Sequence, residues 1–191
     1  MNDILKGELV RLSAIDPEEM SGALARWRRD SEFNRLLNMG VIHLDSAKAI
    51  RQWIEKDMEN EGSREYFFAM RSLADDQLIG GLGLDVVAWA FRDAFVAIFI
   101  GEREYWGKGY GTDAMNVLLE YAFLELNLRR VSLGVFEYNP RAVRSYEKVG
   151  FRNEGRQRSF LNREGRRWSM FLMGILRNEW MEQNHKPVKS Q

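Results

Sequence analysis

Three alternating glycines between a β-prone run and an amphipathic one constrain this chain more than any other feature. Ala94 to Gly101 reads Ala-Phe-Val-Ala-Ile-Phe-Ile-Gly, and Glu-Arg-Glu-Tyr-Trp-Gly-Lys-Gly-Tyr-Gly-Thr follows from Glu102 to Thr112. Met115, Leu118, Leu119, Ala122, Phe123 and Leu126 then recur at helical spacing. The pattern predicts strand, loop, helix. The glycines permit backbone conformations closed to other residues, and the first amides of a helix have no intrahelical acceptor. Gly107, Lys108, Gly109, Tyr110, Gly111 and Thr112 can therefore form a nest for a phosphate group. Packing the helical stripe on a sheet would fix where those amides stand.

Spacing separates the phosphate loops that could be meant. A Walker loop needs Gly-Lys followed directly by Ser or Thr, whereas Lys108 is followed by Gly109. A dinucleotide fingerprint needs glycine at its first, third and sixth positions, and counting from Gly107 the sixth is Thr112. Both fit poorly, and an ordinary glycine turn stays open on this stretch alone.

A second constellation lies further along, in Tyr138-Asn139-Pro140-Arg141-Ala142-Val143-Arg144-Ser145-Tyr146-Glu147-Lys148-Val149-Gly150-Phe151. Asn139 suits a helix cap, Pro140 the first helical position and Gly150 the stop, after a last turn holding Lys148. Tyr146 lies two turns past Asn139, ~10 Å along roughly the same face at ~1.5 Å per residue. The two side chains can then address different points of one extended ligand. Asn139 can equally be only a cap, and Tyr146 only a core aromatic.

Together the two motifs resemble the GNAT N-acetyltransferase superfamily. Its loop, Arg/Gln-x-x-Gly-x-Gly/Ala, maps onto Trp106 to Gly111 with Trp106 as the one departure, and Asn-x-x-Ala-x-x-x-Tyr-Glu-Lys-x-Gly-Phe is similar to its second acetyl-coenzyme A motif. The Trp-Gly-Lys-Gly-Tyr-Gly form resembles the ribosomal-protein-alanine N-acetyltransferase-like branch. The likeness runs from Lys6-Gly7-Glu8-Leu9-Val10-Arg11-Leu12 through Leu78-Ile79-Gly80 to Met173-Gly174-Ile175-Leu176. It implies an α/β fold (α+β in some schemes): one domain over residues 1–180, with a mixed twisted sheet of about seven strands flanked by about four helices, and a polar tail over 181–191. It also implies direct acetyl transfer from acetyl-CoA to an amine. The amides of Gly107 to Thr112 would then hold the pyrophosphate. Strand amides of Ile98, Phe99 and Ile100 would meet the pantetheine and the carbonyl, Asn139 would contact the pantetheine, and Tyr146 would protonate the departing thiolate.

Bulk properties agree with this reading. The 191 residues, 45% hydrophobic and 29% charged, suit one soluble domain. With no apolar run near ~20 residues and no signal-like start, a cytoplasmic protein is expected, with no membrane partner. There is no Cys, and His43 and His185 are the only histidines, so no metal is expected. Zero net charge argues against nucleic acid as the partner. The charge is uneven: residues 1–101 carry 12 basic and 17 acidic side chains, residues 102–167 carry 13 and 9. An acidic first half and a basic second half would suit a cationic amine meeting an anionic coenzyme. A homodimer is compatible with all of this.

Elements can be placed along the chain. Glu8 to Ser13 reads as a strand; Asp16-Pro17-Glu18-Glu19 opens a helix with a capping box, carrying Met20, Leu24 and Trp27 inward. A second helix beyond Asp45 carries Ile50, Trp53, Ile54 and Met58. Residues 66–72 and 77–87 read as a hairpin, with Leu82, Leu84 and Val86 on one face. In the strand before the glycine loop, Val96, Ile98 and Ile100 face one way and Phe95, Ala97 and Phe99 the other, which predicts cover on both sides. Arg130 to Phe136 should be parallel to that strand, since a helix intervenes. Phe151 to Arg158 and Arg166 to Leu176 then pair through a turn at Asn162-Arg163-Glu164-Gly165.

The general base is the least legible part. Where relatives place a carboxylate on the fourth strand this chain has Phe95, and where they often have an acid on the last strand it has Ser169. Asp85 and Glu137 are candidates, each equally readable as a surface carboxylate. Protein amino termini, polyamines, aminoglycosides and small amino compounds are all acceptors on this fold. A noncatalytic acyl-CoA sensor or interaction module is the alternative from another class.

Overall fold

Short acidic side chains set where the first two helices begin. Asp16 accepts the amide of Glu19 (2.9 Å) ahead of helix α1, Pro17–Trp27. Asp30 accepts the amides of Glu32 (2.9 Å) and Phe33 (3.3 Å) ahead of helix α2, Ser31–Leu37, which the apolar spacing had not suggested. The Glu19 carboxylate pairs with Arg71, so the expected capping box is realised on its Asp16 side. Helix α3, Ala47–Glu59, buries Ile50 and Ile54, while Trp53 and Met58 face solvent. This computed structural model describes residues 3–59 and 66–184; His185 and the tail after it lie outside the described residues.

Seven strands form one sheet in the order β1-β2-β3-β4-β5-β7-β6. Strands β1 (Val10–Ser13), β2 (Tyr66–Ser72) and β3 (Leu78–Ala88) pair antiparallel in sequence, with a bulge at Met70/Arg71. Strand β4, Asp93–Ile100, follows β3 through a tight turn at residues 89–92, where Phe91 and Arg92 donate to the Ala88 carbonyl (3.0 and 3.1 Å). Strand β5, Arg130–Phe136, is parallel to β4, as a helical crossover requires. Strands β6 (Arg152–Arg163) and β7 (Arg166–Leu176) form the closing hairpin, with β7 antiparallel to β5. Its two-residue turn has Glu164 and Gly165 at positive φ (55° and 70°), the form that matches strand twist.

Between these strands run helix α4 (Tyr110–Glu120), ending in a π-turn over Tyr121–Glu125, and helix α5 (Pro140–Val149). Met115, Leu118, Leu119, Ala122 and Phe123 are fully buried; past the π-turn Leu126 is only half-buried and Leu128 takes the interior position. Helix α6, Arg177–Asn184, includes residues 181–184, which were expected in the tail, and seats Trp180 against Phe123 at 5.5 Å. Strand β4 departs from expectation. Ala94 and Val96 are buried, but Phe95 is 49% exposed and Ala97 is also open to solvent, so two-sided cover does not extend to that face.

Contacts divide the domain into two units. One comprises the described residues up to Asp85 with Val96–Leu118; the other comprises Val86–Phe95 with the described residues from Leu119 onward. The glycine loop falls in the first and the capped helix α5 in the second.

Candidate active site

In the first unit, the loop after β4 is built as a turn whose backbone favours glycine. Gly107 and Gly109 have φ of +73° and +96°, and nothing lies within 4 Å of the place a Cβ on Gly107 would occupy. Gly107, Lys108 and Gly109 are exposed. The amide of Asp113 donates to the carbonyl of Gly109 (2.9 Å), the opening bond of α4. The amides of Gly107 to Tyr110 stand ahead of that bond, in the turn and at the start of the helix. The open space, the positive φ angles and the helix start make a cradle that fits a pyrophosphate.

The strand leading into the loop is oriented by its own pairings. The amide of Gly101 donates to the Ile79 carbonyl on β3 (2.8 Å), and Phe99 presses its carbonyl toward Gly80, so that no side chain fits there. Alternation along a strand then turns the peptide groups of Ile98 and Ile100 toward the opposite edge. On that edge the Ile100 carbonyl accepts the indole N–H of Trp106 at 2.8 Å. The residue that departs from the family's Arg or Gln thus ties the loop to the strand end. The Phe99 ring joins Trp27, Phe33 and Phe67, with centroids 6.1, 6.1 and 6.2 Å away.

Further braces fix the loop from outside. Glu102 accepts from the Trp27 indole (2.9 Å) and from Arg26 (2.5 Å). Arg103 is paired with Asp30 and with Glu32 (2.8 Å), which holds the Asp30 carboxyl below its usual range. The Tyr105 hydroxyl lies 3.1 Å from both Asp75 Oδ2 and Gln77 Oε1, and its ring meets Tyr110 edge-on at 4.8 Å. Burial and Asp75 raise the Tyr105 pKa, so it stays a donor. Sequence reasoning missed these braces because each joins side chains far apart in the chain, with no periodicity to mark them.

In the second unit, helix α5 forms as its sequence dictates. Asn139 Oδ1 accepts the Ala142 amide (3.1 Å), Pro140 starts the helix, and Gly150 ends it at φ +107°. The cap reading of Asn139 is therefore realised, and its side-chain N–H groups remain as donors. Tyr146 is half-buried, with its ring 6.0 Å from Phe151 at 61°. Among the described residues its hydroxyl has no hydrogen-bond partner, and burial pushes the phenol up to about 12. Such a group is held protonated and has its proton available for a partner not supplied by the fold.

The two base candidates differ. Glu137 Oε1 accepts the Ser169 amide (2.8 Å) and Oε2 accepts from Arg156 (2.6 Å). The Ser169 amide first, and Arg156 after it, hold its carboxyl below the usual range despite burial. A carboxylate so satisfied is a poor proton acceptor, and its role is to join β7 to the segment after β5. Ser169 is buried there, which explains why an acid is absent from that position. Asp85 is exposed on β3. Phe95 stands open on β4 with no proton to exchange. Among the described residues, no group of three or more His, Asp or Glu could hold a metal, and no helix is long and apolar enough to cross a membrane.

The acetyltransferase (GNAT) domain model matches residues 10–152 of this chain. The chain belongs to the GNAT acetyltransferase family. This GNAT enzyme is 31% identical over 183 residues to the SPbeta prophage-derived uncharacterized N-acetyltransferase YokL of Bacillus subtilis, covering 94% of this chain and 96% of the relative. It is 34% identical over 113 residues to a spermidine N(1)-acetyltransferase of Vibrio cholerae, 58% of this chain and 64% of that one. The fold superposes on a Vibrio cholerae spermidine N-acetyltransferase structure in complex with CoA and spermine with a TM-score of 0.78, at 24% identity over 90% of this chain and 98% of the other. The GNAT chain is thus an acetyl-CoA-dependent N-acetyltransferase with, among the described residues, a mixed seven-stranded sheet and six α-helices.

Proposed function

We propose that this enzyme transfers the acetyl group of acetyl-CoA to a primary amine of a small cationic molecule, with a polyamine as the leading class. The phosphates rest on the amides of Gly107 to Thr112, Lys108 adds positive charge there, and the peptide groups of Ile98 and Ile100 serve the pantetheine and the thioester carbonyl. Asn139 donates to the pantetheine arm. Tyr146 gives its proton to the sulfur as the C–S bond breaks, while the amine nitrogen bonds to the carbonyl carbon and loses its own proton to water. The observation that carries the reading is the Tyr146 hydroxyl: held protonated, half-buried and, among the described residues, without a hydrogen-bond partner. The spermidine N-acetyltransferase relative supports the acceptor class.

A second reading, transfer to a protein amino terminus as in the ribosomal-protein-alanine branch, is favoured by the Trp-Gly-Lys-Gly-Tyr-Gly form of the loop at residues 106–111. One experiment separates them. Release of free coenzyme A is measured with spermidine, with short peptides bearing free amino termini, and with aminoglycosides. The proposal expects spermidine turnover well above the peptides; turnover confined to peptides would establish the second reading instead.

A further inference from the structure

Asp113 stands in the first turn of α4, where an acid ordinarily complements its own helix. Its carboxylate instead reaches the amino-terminal segment, more than a hundred residues earlier in the chain. Oδ1 accepts the amide of Glu8 (3.1 Å), and Oδ2 accepts those of Leu9 (2.8 Å) and Val10 (3.0 Å). Three consecutive peptide N–H groups around one carboxylate form an anion nest whose anion is the protein's own side chain. Gly7 completes it: a Cβ there would lie 2.8 Å from Asp113 Cγ and Oδ1, so only glycine lets the chain close over the carboxylate. Val10 is fully buried and begins β1, which is hydrogen-bonded to β2. The nest is therefore anchored in the sheet.

The backbone of the same residue holds the glycine loop. The Asp113 amide donates to the Gly109 carbonyl at 2.9 Å, and Leu9 Cδ1 lies 3.4 Å from the place a Gly109 Cβ would occupy. The turn is thus tied at one end to Ile100 through the Trp106 indole, and at the other to β1 through Asp113. Glycines give the turn its shape and also leave it free to lose that shape. Amides that must converge on one anion bind it best when they are already fixed.

We infer that Asp113 is a positioning residue: through the Glu8–Val10 amides it holds the Gly107 to Thr112 turn in the conformation that receives the coenzyme's pyrophosphate. The inference rests on the phosphate placement proposed above. Loss of the nest should weaken coenzyme binding and leave the chemical step intact.

The test is coenzyme A affinity measured by calorimetry, alongside kcat and KM for acetyl-CoA. Asp113→Asn keeps the shape but turns an NH2 group toward three N–H donors. It should raise Kd and KM about ten- to a hundredfold while kcat at saturation changes by less than about threefold. Gly7→Ala, which keeps the residues of the loop and Asp113 itself but crowds the carboxylate, should shift the same two constants in the same direction, and the double variant should be no worse than the more severe single. If Asp113→Asn does not fold, Gly7→Ala carries the test. An unchanged Kd in folded variants, whatever their stability, would overturn the inference, as would additive effects. Gly109→Glu distinguishes the two failures. Wild-type affinity in Gly109→Glu would overturn the phosphate placement itself, whereas lost binding there with unchanged Kd in Asp113→Asn would overturn only the role of Asp113.

Discussion

Tyr146 is packed as an aromatic of the fold and, in the mechanism proposed above, is also the group that gives up a proton. Its ring packs against Phe151, yet its hydroxyl is left without a partner in the described fold and its pKa is pushed up to about 12. An unperturbed phenol, near ~10, would be the better match for a thiol. The raised value keeps Tyr146 protonated at every working pH; in the proposed mechanism it donates as negative charge builds on sulfur. Tyr146→Phe should lower kcat roughly ten- to a thousandfold with little change in coenzyme A affinity. Because the folded pKa is raised, the donor form persists up to about pH 12, so no fall in kcat at mildly alkaline pH should come from this phenol. A wild-type rate in the phenylalanine variant would reduce Tyr146 to packing. Glu137 is the opposite case. Its lowered pKa means that its contribution to stability is present above the ordinary carboxylate range and is lost as pH falls below it. Glu137→Ala should cost about 1–3 kcal/mol in chemical denaturation, since the buried Ser169 amide and Arg156 lose their acceptor. Sequence could name both residues but not tell them apart, because the Ser169 and Arg156 partners are set by strand pairing.

Elements bounded by local chemistry were legible, and elements bounded by tertiary contacts were not. Helix α5 runs over the residues that its Asn139 cap, Pro140 and Gly150 define, because each signal acts through atoms within a turn of itself. Strand β5 runs over Arg130–Phe136, where it was expected, and parallel to β4 because a helix intervenes. Helix α2 escaped because its seven residues are too few for a period, although Asp30 marked its start. The expectation for β4 failed at Phe95 and Ala97 because an unbroken apolar run says that a strand can be covered, not that a partner covers it. For the same reason the glycine run was visible as a turn between strand and helix, while the bonds that Trp106, Tyr105 and Asp113 make to other segments were not. Gly150 offers an element-scale check. At φ +107°, with a Cβ directed at the Gln183 side chain, Gly150→Ala should destabilise the fold by about 1–2 kcal/mol without altering coenzyme affinity. Unaltered stability in denaturation would mean that the left-handed stop is not required.

At the scale of the whole molecule, the unanswered chemical demand is removal of the proton from the amine. In the proposed mechanism the others fall to backbone amides and one phenol. It offers Phe95 at the strand position where relatives keep a carboxylate, occupies Glu137 with Ser169 and Arg156, and leaves Asp85 on the surface. The net charge is zero, with the acidic excess in residues 1–101, so the cationic acceptor proposed above would be drawn in still carrying its ammonium proton. Deprotonation then falls to water, and the fraction of acceptor already neutral limits the rate. It follows that kcat/KM should climb with pH toward the acceptor's own pKa, and that two acceptors of different amine pKa should give curves displaced by that difference. Asp85→Asn and Glu137→Gln should leave each inflection where it is. A single inflection near neutral pH, common to both acceptors and removed by either substitution, would show instead that the enzyme supplies the base.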